Sequence, residues 1–191
     1  MLKDLITSKT RVKLLSLFLD NQSEMYHVRE IVRRVNEEIN AVRRELILLE
    51  KKGILSREPR ANRVYYYLDK NYPYYFDLLR LHAKSSGIGF DIIKNRVKLG
   101  KIKYAMLSGK FARRTRENPE DVDLLIVGTV VLPELSLVVK QEETKRGEEI
   151  NYTVMTDEEF IFRKKRLDPF ILGVITGSRV MLIGDEDALL S

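Results

Sequence analysis

The 191-residue chain contains no cysteine and only two histidines. Without cysteine it can form no disulfide bond, no thiolate metal site and no cysteine nucleophile, and this composition fits a reducing compartment. The two histidines, His27 and His82, do not stand at the spacing of a metal-binding pair. We therefore do not expect a zinc site.

The sequence also lacks an apolar run long enough to cross a bilayer. Its first residues, Met1 to Asp4, contain no apolar signal region. The longest run of low polarity, Leu124 to Pro133, is about half of the roughly 20 residues that a spanning helix needs. We therefore expect a cytoplasmic protein with no membrane partner. Apolar residues make up 44% of the chain, which is ample for one packed domain or two small ones.

Positive charge is in excess only in the N-terminal part of the chain. Residues 1–85 contain 17 Lys and Arg against 11 Asp and Glu, whereas the remaining residues contain 17 of each kind. The whole net charge of +6 therefore belongs to the first segment. This asymmetry indicates a polyanion-binding module joined to a neutral one.

The first segment has the pattern of helices followed by a hairpin. Apolar residues at helical spacing and a glycine stop at Gly53 predict three helices. Two short strands then flank a basic loop with turn residues, Glu58 to Arg63. The predicted helices are Arg11–Asp20, His27–Val35 and Glu37–Lys52, and the predicted strands are Ile54–Arg57 and Val64–Leu68.

The run from Leu46 to Leu55, LILLEKKGIL, resembles the junction between recognition helix and wing in winged helix-turn-helix proteins. The resemblance covers about residues 8–70 and implies a module that binds double-stranded DNA. In that arrangement the third helix enters the major groove by its N-terminal half.

Five side chains are candidate DNA contacts. The outer face of the third helix is predicted to carry Asn40, Arg43 and Arg44. Arginine can form two hydrogen bonds with guanine, and asparagine can do so with adenine. Arg60 and Arg63, on the basic loop, would meet the backbone or the minor groove and add affinity rather than sequence readout. An ordinary solvated face on a protein-interaction module is the alternative.

The DNA-binding interpretation also implies an assembly. Winged helices commonly read two half-sites as symmetric dimers. The apolar first helix and the aromatic stretch from Tyr72 to Phe76 offer surface for pairing. We therefore expect a homodimer.

The second segment contains a glycine turn followed by paired acids. An apolar strand leads into Gly109, and Asp121 and Asp123 open a second apolar strand. Residues two apart on a strand point to the same face, so the two carboxylates would project together. Like charges that close favour a cation between them, and Mg²⁺ is the natural partner. Acids placed by chance at the mouth of a solvated loop are the alternative.

This pattern resembles the minimal nucleotidyltransferases of the DNA polymerase β-like fold. Their signature is a glycine turn, a spacer of about ten residues (Phe111 to Glu120 here) and Asp-x-Asp. The resemblance implies that Gly109 and Lys110 bind nucleotide and that Asp121 and Asp123 are catalytic acids. It also implies Mg²⁺ and a nucleoside triphosphate as partners.

Two departures from the family pattern bear on catalysis. Lys110 stands where the family has serine, although a lysine could still reach a phosphate. Asn151 stands where a third carboxylate would be wanted, and only Glu149 could join Asp121 and Asp123 as a metal ligand. Because phosphoryl transfer depends on positioned metal ions, these changes threaten catalysis more than the fold.

We thus predict an α+β protein with a winged helix-turn-helix over residues 1–85 and a small mixed-sheet nucleotidyltransferase-like domain over residues 86–191. Three functions fit: a DNA-binding regulator with weak or absent catalysis, an active Mg²⁺-dependent nucleotidyltransferase, and an antitoxin-like protein with a toxin partner. In the second segment, helices are predicted at Phe90–Leu99, Pro133–Thr144, 157–165 and Pro169–Ile175, and strands at Ile102–Leu107, Ile150–Met155 and Val180–Gly184.

Overall fold

The computed structural model describes residues 6–115, Asn118 and residues 121–191, so that part of the predicted spacer, including Glu120, lies outside the described residues. The chain divides into two compact units between His82 and Ala83. None of the described helices is both long and apolar enough to cross a membrane.

The first unit contains helices and one three-stranded antiparallel sheet of order β1-β3-β2. Strand β1, which the sequence did not predict, pairs with β3 through Tyr26 and Tyr66. In chain order the elements are α1 (Lys9–Asp20), β1 (Met25–His27), α2 (Val28–Val35), α3 (Ile39–Lys51), β2 (Leu55–Arg60), β3 (Arg63–Leu68) and α4 (Tyr75–Ser85).

Local capping sets the ends of helices α2 and α3. The ring Nδ1 of His27 accepts a hydrogen bond from the N–H of Glu30, so His27 precedes helix α2 instead of starting it. Asn36, in the left-handed region at φ 49°, ends that helix. The carboxylate of Glu38 accepts from the N–H groups of Asn40 and Ala41, so α3 begins at Ile39 and not at Glu37 as predicted.

The predicted basic loop is largely strand, which corrects the sequence interpretation. Strands β2 and β3 remain paired out to Arg60 and Arg63, and the turn is only two residues long. Pro59 lies inside β2 opposite Val64. A proline without an N–H is tolerated there because β2 is an edge strand of the sheet.

The core of the first unit joins helices α1, α2 and α3 to the sheet. Leu14 and Phe18 of α1, Ile31 of α2, and Val42 and Leu46 of α3 are almost completely buried in one cluster. Removing a large apolar side chain from such a core costs about 2–5 kcal/mol.

Helix α4 is tied to the rest of this unit by buried polar contacts. The hydroxyl of Tyr75 donates to the side-chain oxygen of Gln22 at 2.6 Å. The buried ring of His82 lies 3.0 Å from the carboxylate of Asp20. Three helices, of which the second and third are joined by a tight turn, followed by a two-stranded hairpin, form a winged helix-turn-helix.

The second unit contains a four-stranded sheet of order β6-β5-β4-β7. The pairs β4–β5 and β4–β7 are antiparallel, and β5–β6 is parallel. Its elements are α5 (Gly87–Lys94), β4 (Gly100–Ser108), α6 (Gly109–Ala112), β5 (Leu124–Val130), α7 (Leu132–Arg146), β6 (Tyr152–Met155), α8 (Asp157–Lys165), α9 (Pro169–Thr176), β7 (Arg179–Ile183) and α10 (Glu186–Leu190).

Both faces of this sheet are covered. Along β4, Ala105 and Leu107 pack into one cluster, whereas Tyr104 and Met106 pack into another on the opposite face. Strand β5 alternates between the same two clusters. A sheet buried on both sides explains why these strands read as continuous apolar runs in the sequence.

Several predicted boundaries in this unit differ from the observed ones, and two of the differences concern the helix before β4 and the paired acids. The helix predicted to continue to Leu99 ends at Lys94, because the side-chain amide of Asn95 donates to the carbonyl of Asp91. Asp121 and Asp123 do not belong to strand β5, which starts at Leu124. The N–H of Asp121 instead donates to the carbonyl of Asn118.

Candidate functional site

The outer face of helix α3 carries the side chains that the sequence assigned to DNA. Asn40, Arg43 and Arg44 are all exposed. Ile47, one turn further along, belongs to the same face and is 59% exposed. Spacing of three, four and seven residues places these side chains on one stripe of the helix.

Two acidic residues of this region, Glu37 and Glu45, are engaged by side chains of α1 and of Ser8, which precedes it. Glu37 forms an ion pair with Lys13, with 2.6 Å between Oε1 and Nζ. The hydrogen bond that Lys13 donates lowers the pKa of Glu37. Glu45 is bonded to Arg11 at 2.7 Å and to the hydroxyl of Ser8 at 2.6 Å. Burial raises the pKa of Glu45, but these hydrogen bonds outweigh it and leave the pKa below its ordinary value.

The cations of the stripe are therefore not neutralised by an ion pair with Glu37 or Glu45. Within the described part of the chain, neither Arg43 nor Arg44 forms an ion pair. The guanidinium groups of both are thus available to an anion. One carboxylate oxygen of Glu38 accepts the hydrogen bonds that cap helix α3. This carboxylate, whose charge would repel a phosphate, is thus partly engaged by the backbone.

The two arginines of the wing differ in their surroundings. Arg60 and Arg63 face each other at the tip of the β2–β3 hairpin. Arg60 forms an ion pair with Glu58 at 2.7 Å and lies over the ring of Tyr65. Arg63 is exposed and has no ion pair among the described residues. Arg63 is therefore the more available cation of the wing.

Two further cations on helix α2 escaped the sequence interpretation. Arg29 and Arg33 are exposed and stand four residues apart, so they share one side of the helix. Arg34, by contrast, pairs with Glu30 and lies over the ring of Tyr26. The spacing of Arg29 and Arg33 on the polar side was the signal that could have found them.

In the second unit the two paired acids have different environments. The carboxylate of Asp121 is partly exposed and forms an ion pair with Lys110, Oδ2 to Nζ, at 2.9 Å. Asp123 is completely buried, and its Oδ2 accepts the backbone N–H of Asn151 at 2.9 Å. The side-chain amide of Asn151 also donates to the carbonyl of Asp121 at 3.3 Å. Asn151 thus fixes the turn that carries both acids.

The third predicted metal ligand is not gathered with these acids. Glu149 is exposed and precedes β6. Throughout the described residues, no three acidic, histidine or cysteine side chains are grouped so that they could hold a metal ion. As arranged here, the residues do not fit a magnesium site. Magnesium binding stays a prediction and requires Lys110 to leave Asp121.

The sequence predicted that Gly109 binds a nucleotide, and the structure shows a packing reason for a glycine at this position. Its N–H donates to the carbonyl of Ser178 at 2.7 Å. A Cβ on Gly109 would lie 2.0 Å from the hydroxyl oxygen of Ser178. The glycine is therefore needed because the chain before β7 passes directly against it, and its N–H already has an acceptor.

A cavity of about 480 Å³ opens beside this turn. Lys110 and Asp121 line it, together with Arg113 and Arg179, which the sequence did not assign to a site. Its apolar lining comes from helix α9, through Phe170 and Val174, and from the sheet, through Met106 and Leu125. A volume between about 300 and 1,000 Å³ is usual for small-molecule sites.

No family model and no curated protein matches the chain. Two solved structures are similar to it in part. Reduced HlyU from Vibrio cholerae N16961 is 22% identical over 42% of this chain and 81% of its own, with a TM-score of 0.35. The ferric uptake regulator from Francisella tularensis, solved with iron, is 15% identical over 78% of this chain and 87% of its own, with a TM-score of 0.32. Scores this low do not establish a common overall fold, so the assignment of the first unit rests on its own topology.

Proposed function

We propose that this chain is a DNA-binding transcriptional regulator. The observation that carries the proposal is the exposed stripe of Asn40, Arg43 and Arg44 on the third helix of a winged helix-turn-helix. In that fold the third helix is the one that enters the major groove. The excess of positive charge in residues 1–85 supports the same conclusion.

Each part of the first unit then has a defined task. Arg43 and Arg44 contact base edges, with guanine as the best partner for a guanidinium group, and Asn40 prefers adenine. Arg63 on the wing, with Arg29 and Arg33 on α2, contacts phosphates. These phosphate contacts fix the position of the protein on the duplex without reading its sequence.

Selection of bound sequences from a random duplex library, followed by fluorescence anisotropy with the full-length chain, tests this proposal. We expect one enriched sequence and an affinity that falls steeply with salt. Exchange of Arg43 for Ala should reduce discrimination at one base position by about 1–3 kcal/mol. An absence of DNA binding even at low salt would refute the proposal.

We further propose that the regulator acts as a homodimer, since a dimer reads two half-sites about one helical turn apart. Tyr74 and Phe76, both more than half exposed, supply apolar surface near the end of the first unit. Light scattering at micromolar concentration, with and without the selected duplex, measures the mass. A monomer under both conditions would contradict this part.

For the second unit we propose a nucleotidyltransferase-like domain that binds a nucleotide and has weak or no transfer activity. The cavity beside Lys110 and Asp121 supports ligand binding. The pairing of Lys110 with Asp121 and the engagement of Asp123 by Asn151 support the loss of catalysis.

An active Mg²⁺-dependent nucleotidyltransferase, modifying a protein partner such as a toxin, is the second candidate. It is favoured by the position of Asp121 on the wall of the cavity. Incubation of the chain with labelled ATP or CTP and Mg²⁺ distinguishes the two candidates. Robust transfer to the chain itself or to a co-expressed partner would establish the second.

A further inference from the structure

Three cationic side chains line the cavity in the second unit. Among the residues that the structure describes, Lys110, Arg113 and Arg179 line it together with the acidic side chain of Asp121. Asp121 pairs with Lys110, and Glu186 lies 3.6 Å from Arg179, so the positive charge of Arg113 is in excess among these described groups. A pocket of this sign attracts an anion.

Arg179 is the most informative of the three. Its side chain is only 10% exposed. One terminal nitrogen, Nη2, donates to the carbonyl of Ile175, and Nε lies 3.6 Å from the carboxylate of Glu186. The other terminal nitrogen, Nη1, is buried and has no hydrogen-bond acceptor in the part of the chain that the structure describes. A buried charged donor without an acceptor is costly, and Arg179 lines the cavity, so an anion bound there would stabilise this charge once the guanidinium turned towards it.

The backbone holds these cations in place. Arg179 pairs with Ser108 in the β4–β7 ladder, directly before the turn at Gly109 and Lys110. The neighbouring Ser178 accepts two hydrogen bonds. Its carbonyl oxygen accepts from the N–H of Gly109, and its hydroxyl oxygen accepts from the guanidinium of Arg113 at 3.0 Å. Ser178 thus links the elements that carry all three cations. Side chains fixed by such contacts form a preorganised site.

Lys110 supplies beside Asp121 the positive charge that a metal ion would otherwise supply. The ammonium of Lys110 already neutralises Asp121 at 2.9 Å. A phosphate entering the cavity would therefore meet arginine and lysine rather than two free carboxylates. Arginine presents a planar fork that matches phosphate oxygens, and lysine serves as a point charge.

The rest of the cavity indicates the size and chemistry of the ligand. Phe170 and Val174 provide an apolar wall that suits a flat ring. A Cβ on the neighbouring Gly173 would meet nothing within 4 Å, so the wall is open at that point. The volume of about 480 Å³ suits a nucleotide-sized compound better than inorganic phosphate alone.

We infer that this cavity binds a nucleotide-sized phosphorylated ligand without a metal ion, with its phosphate held by Arg179, Arg113 and Lys110. The inference rests on the ligand-binding role proposed for the second unit and is independent of DNA binding. It assigns Arg113 and Arg179 to the site. Lys110 then supplies the positive charge beside Asp121 that a metal ion would supply in a metal-dependent site.

Isothermal titration calorimetry of the full-length chain, with EDTA present, tests the inference. The probes are ATP, AMP, adenosine and inorganic phosphate. We expect ATP or AMP to bind in EDTA, inorganic phosphate to bind more weakly, and adenosine to bind at least about tenfold more weakly than AMP, because it lacks the charged group. Added Mg²⁺ should change the affinity for AMP by less than about threefold.

Variants connect the binding to the named side chains. Arg179→Lys keeps the charge and loses the fork, so it should weaken AMP binding by about tenfold. Arg113→Gln, at a more accessible position, should also weaken AMP binding. It tests the site independently if Arg179→Lys disturbs folding. Lys140→Gln, an exposed cation on α7 outside the cavity, is the matched control and should bind AMP as the wild type does.

Two outcomes would overturn the inference. Binding that appears only with Mg²⁺ would restore the metal site at Asp121. Failure of all four probes with and without Mg²⁺ would show that the cavity does not take phosphorylated ligands. DNA binding by the same sample, measured in parallel, separates either result from a failure of the regulator proposal.

Discussion

The backbone N–H of Asn151 donates a hydrogen bond of 2.9 Å to Oδ2 of Asp123, and the side chain of Asp123 is completely buried. In return, the carbonyl of Asn151 accepts the N–H of Asp123 at 2.8 Å. The two residues are 28 positions apart, so this exchange joins the start of β5 to the chain that leads into β6. Asp123 therefore has a structural task whether or not it has a chemical one.

Replacing Asp123 tests this task. Asp123→Ala leaves the partly buried N–H of Asn151 without this acceptor and should lower the free energy of unfolding by about 1–3 kcal/mol. Asp123→Asn keeps an oxygen acceptor and should cost less. Urea denaturation measures both, and Glu148→Ala, at an exposed acid, should change stability by less than about 0.5 kcal/mol. An Asp123→Ala variant as stable as the wild type would contradict the structural role.

Gly109 and Ser178 should behave as a coupled pair. Gly109→Ala brings a Cβ to within 2.0 Å of the serine hydroxyl oxygen and 2.8 Å of its carbonyl oxygen, so we expect strong destabilisation. Ser178→Gly removes the hydroxyl and should recover part of the loss in the double variant. Thermal unfolding of the four proteins gives the coupling free energy, expected to be about 0.5–3 kcal/mol. Strictly additive effects would show that the close approach is not the cause.

The wing arginines should contribute unequally to DNA affinity. Arg63→Ala should weaken binding to all duplexes and reduce the magnitude of the salt slope by about one, because one phosphate contact is lost. Arg60→Ala should have the smaller effect, since Glu58 already engages Arg60 at 2.7 Å. Fluorescence anisotropy across a salt series measures both slopes. Equal effects would mean that DNA displaces Glu58 from Arg60.

The ion pair between Glu45 and Arg11 predicts a dependence of stability on pH. The pKa of Glu45 in the folded protein lies below its ordinary value of 4.5, because the hydrogen bonds from Arg11 and Ser8 outweigh the effect of burial. The stability it contributes is therefore fully present above that value and is lost as the pH falls through the folded pKa. Urea denaturation should show Glu45→Gln to be less stable than the wild type near pH 7, with a smaller difference at about pH 3.5. Glu24→Gln, at an exposed glutamate on a loop, is the control, and a difference for Glu45→Gln that persists in acid would contradict this prediction.

The sequence determined those features of the protein that depend on local physical chemistry. Gly53 has a positive φ and ends the third helix as predicted, and Thr156 caps helix α8 through the N–H of Glu159. Helical spacing in the first segment was enough to predict its three helices, because the apolar face of each helix is specified by that helix alone. The winged helix-turn-helix came from the layout of helices and hairpin together with the resemblance of the run from Leu46 to Leu55. The exposure of Asn40, Arg43 and Arg44 followed from the same spacing.

Only the tertiary structure decided which distant residues meet. Strand β1 exists because Tyr26 pairs with Tyr66, and no pattern within three residues could predict that partner. Arg179 reaches the cavity because β7 pairs with β4, which is far away in the chain. Asp123 turns into the core, and Asp121 towards Lys110, because each finds a partner on another segment. Spacing along a chain specifies a face of a helix or strand, but pairing across the fold decides what that face contacts.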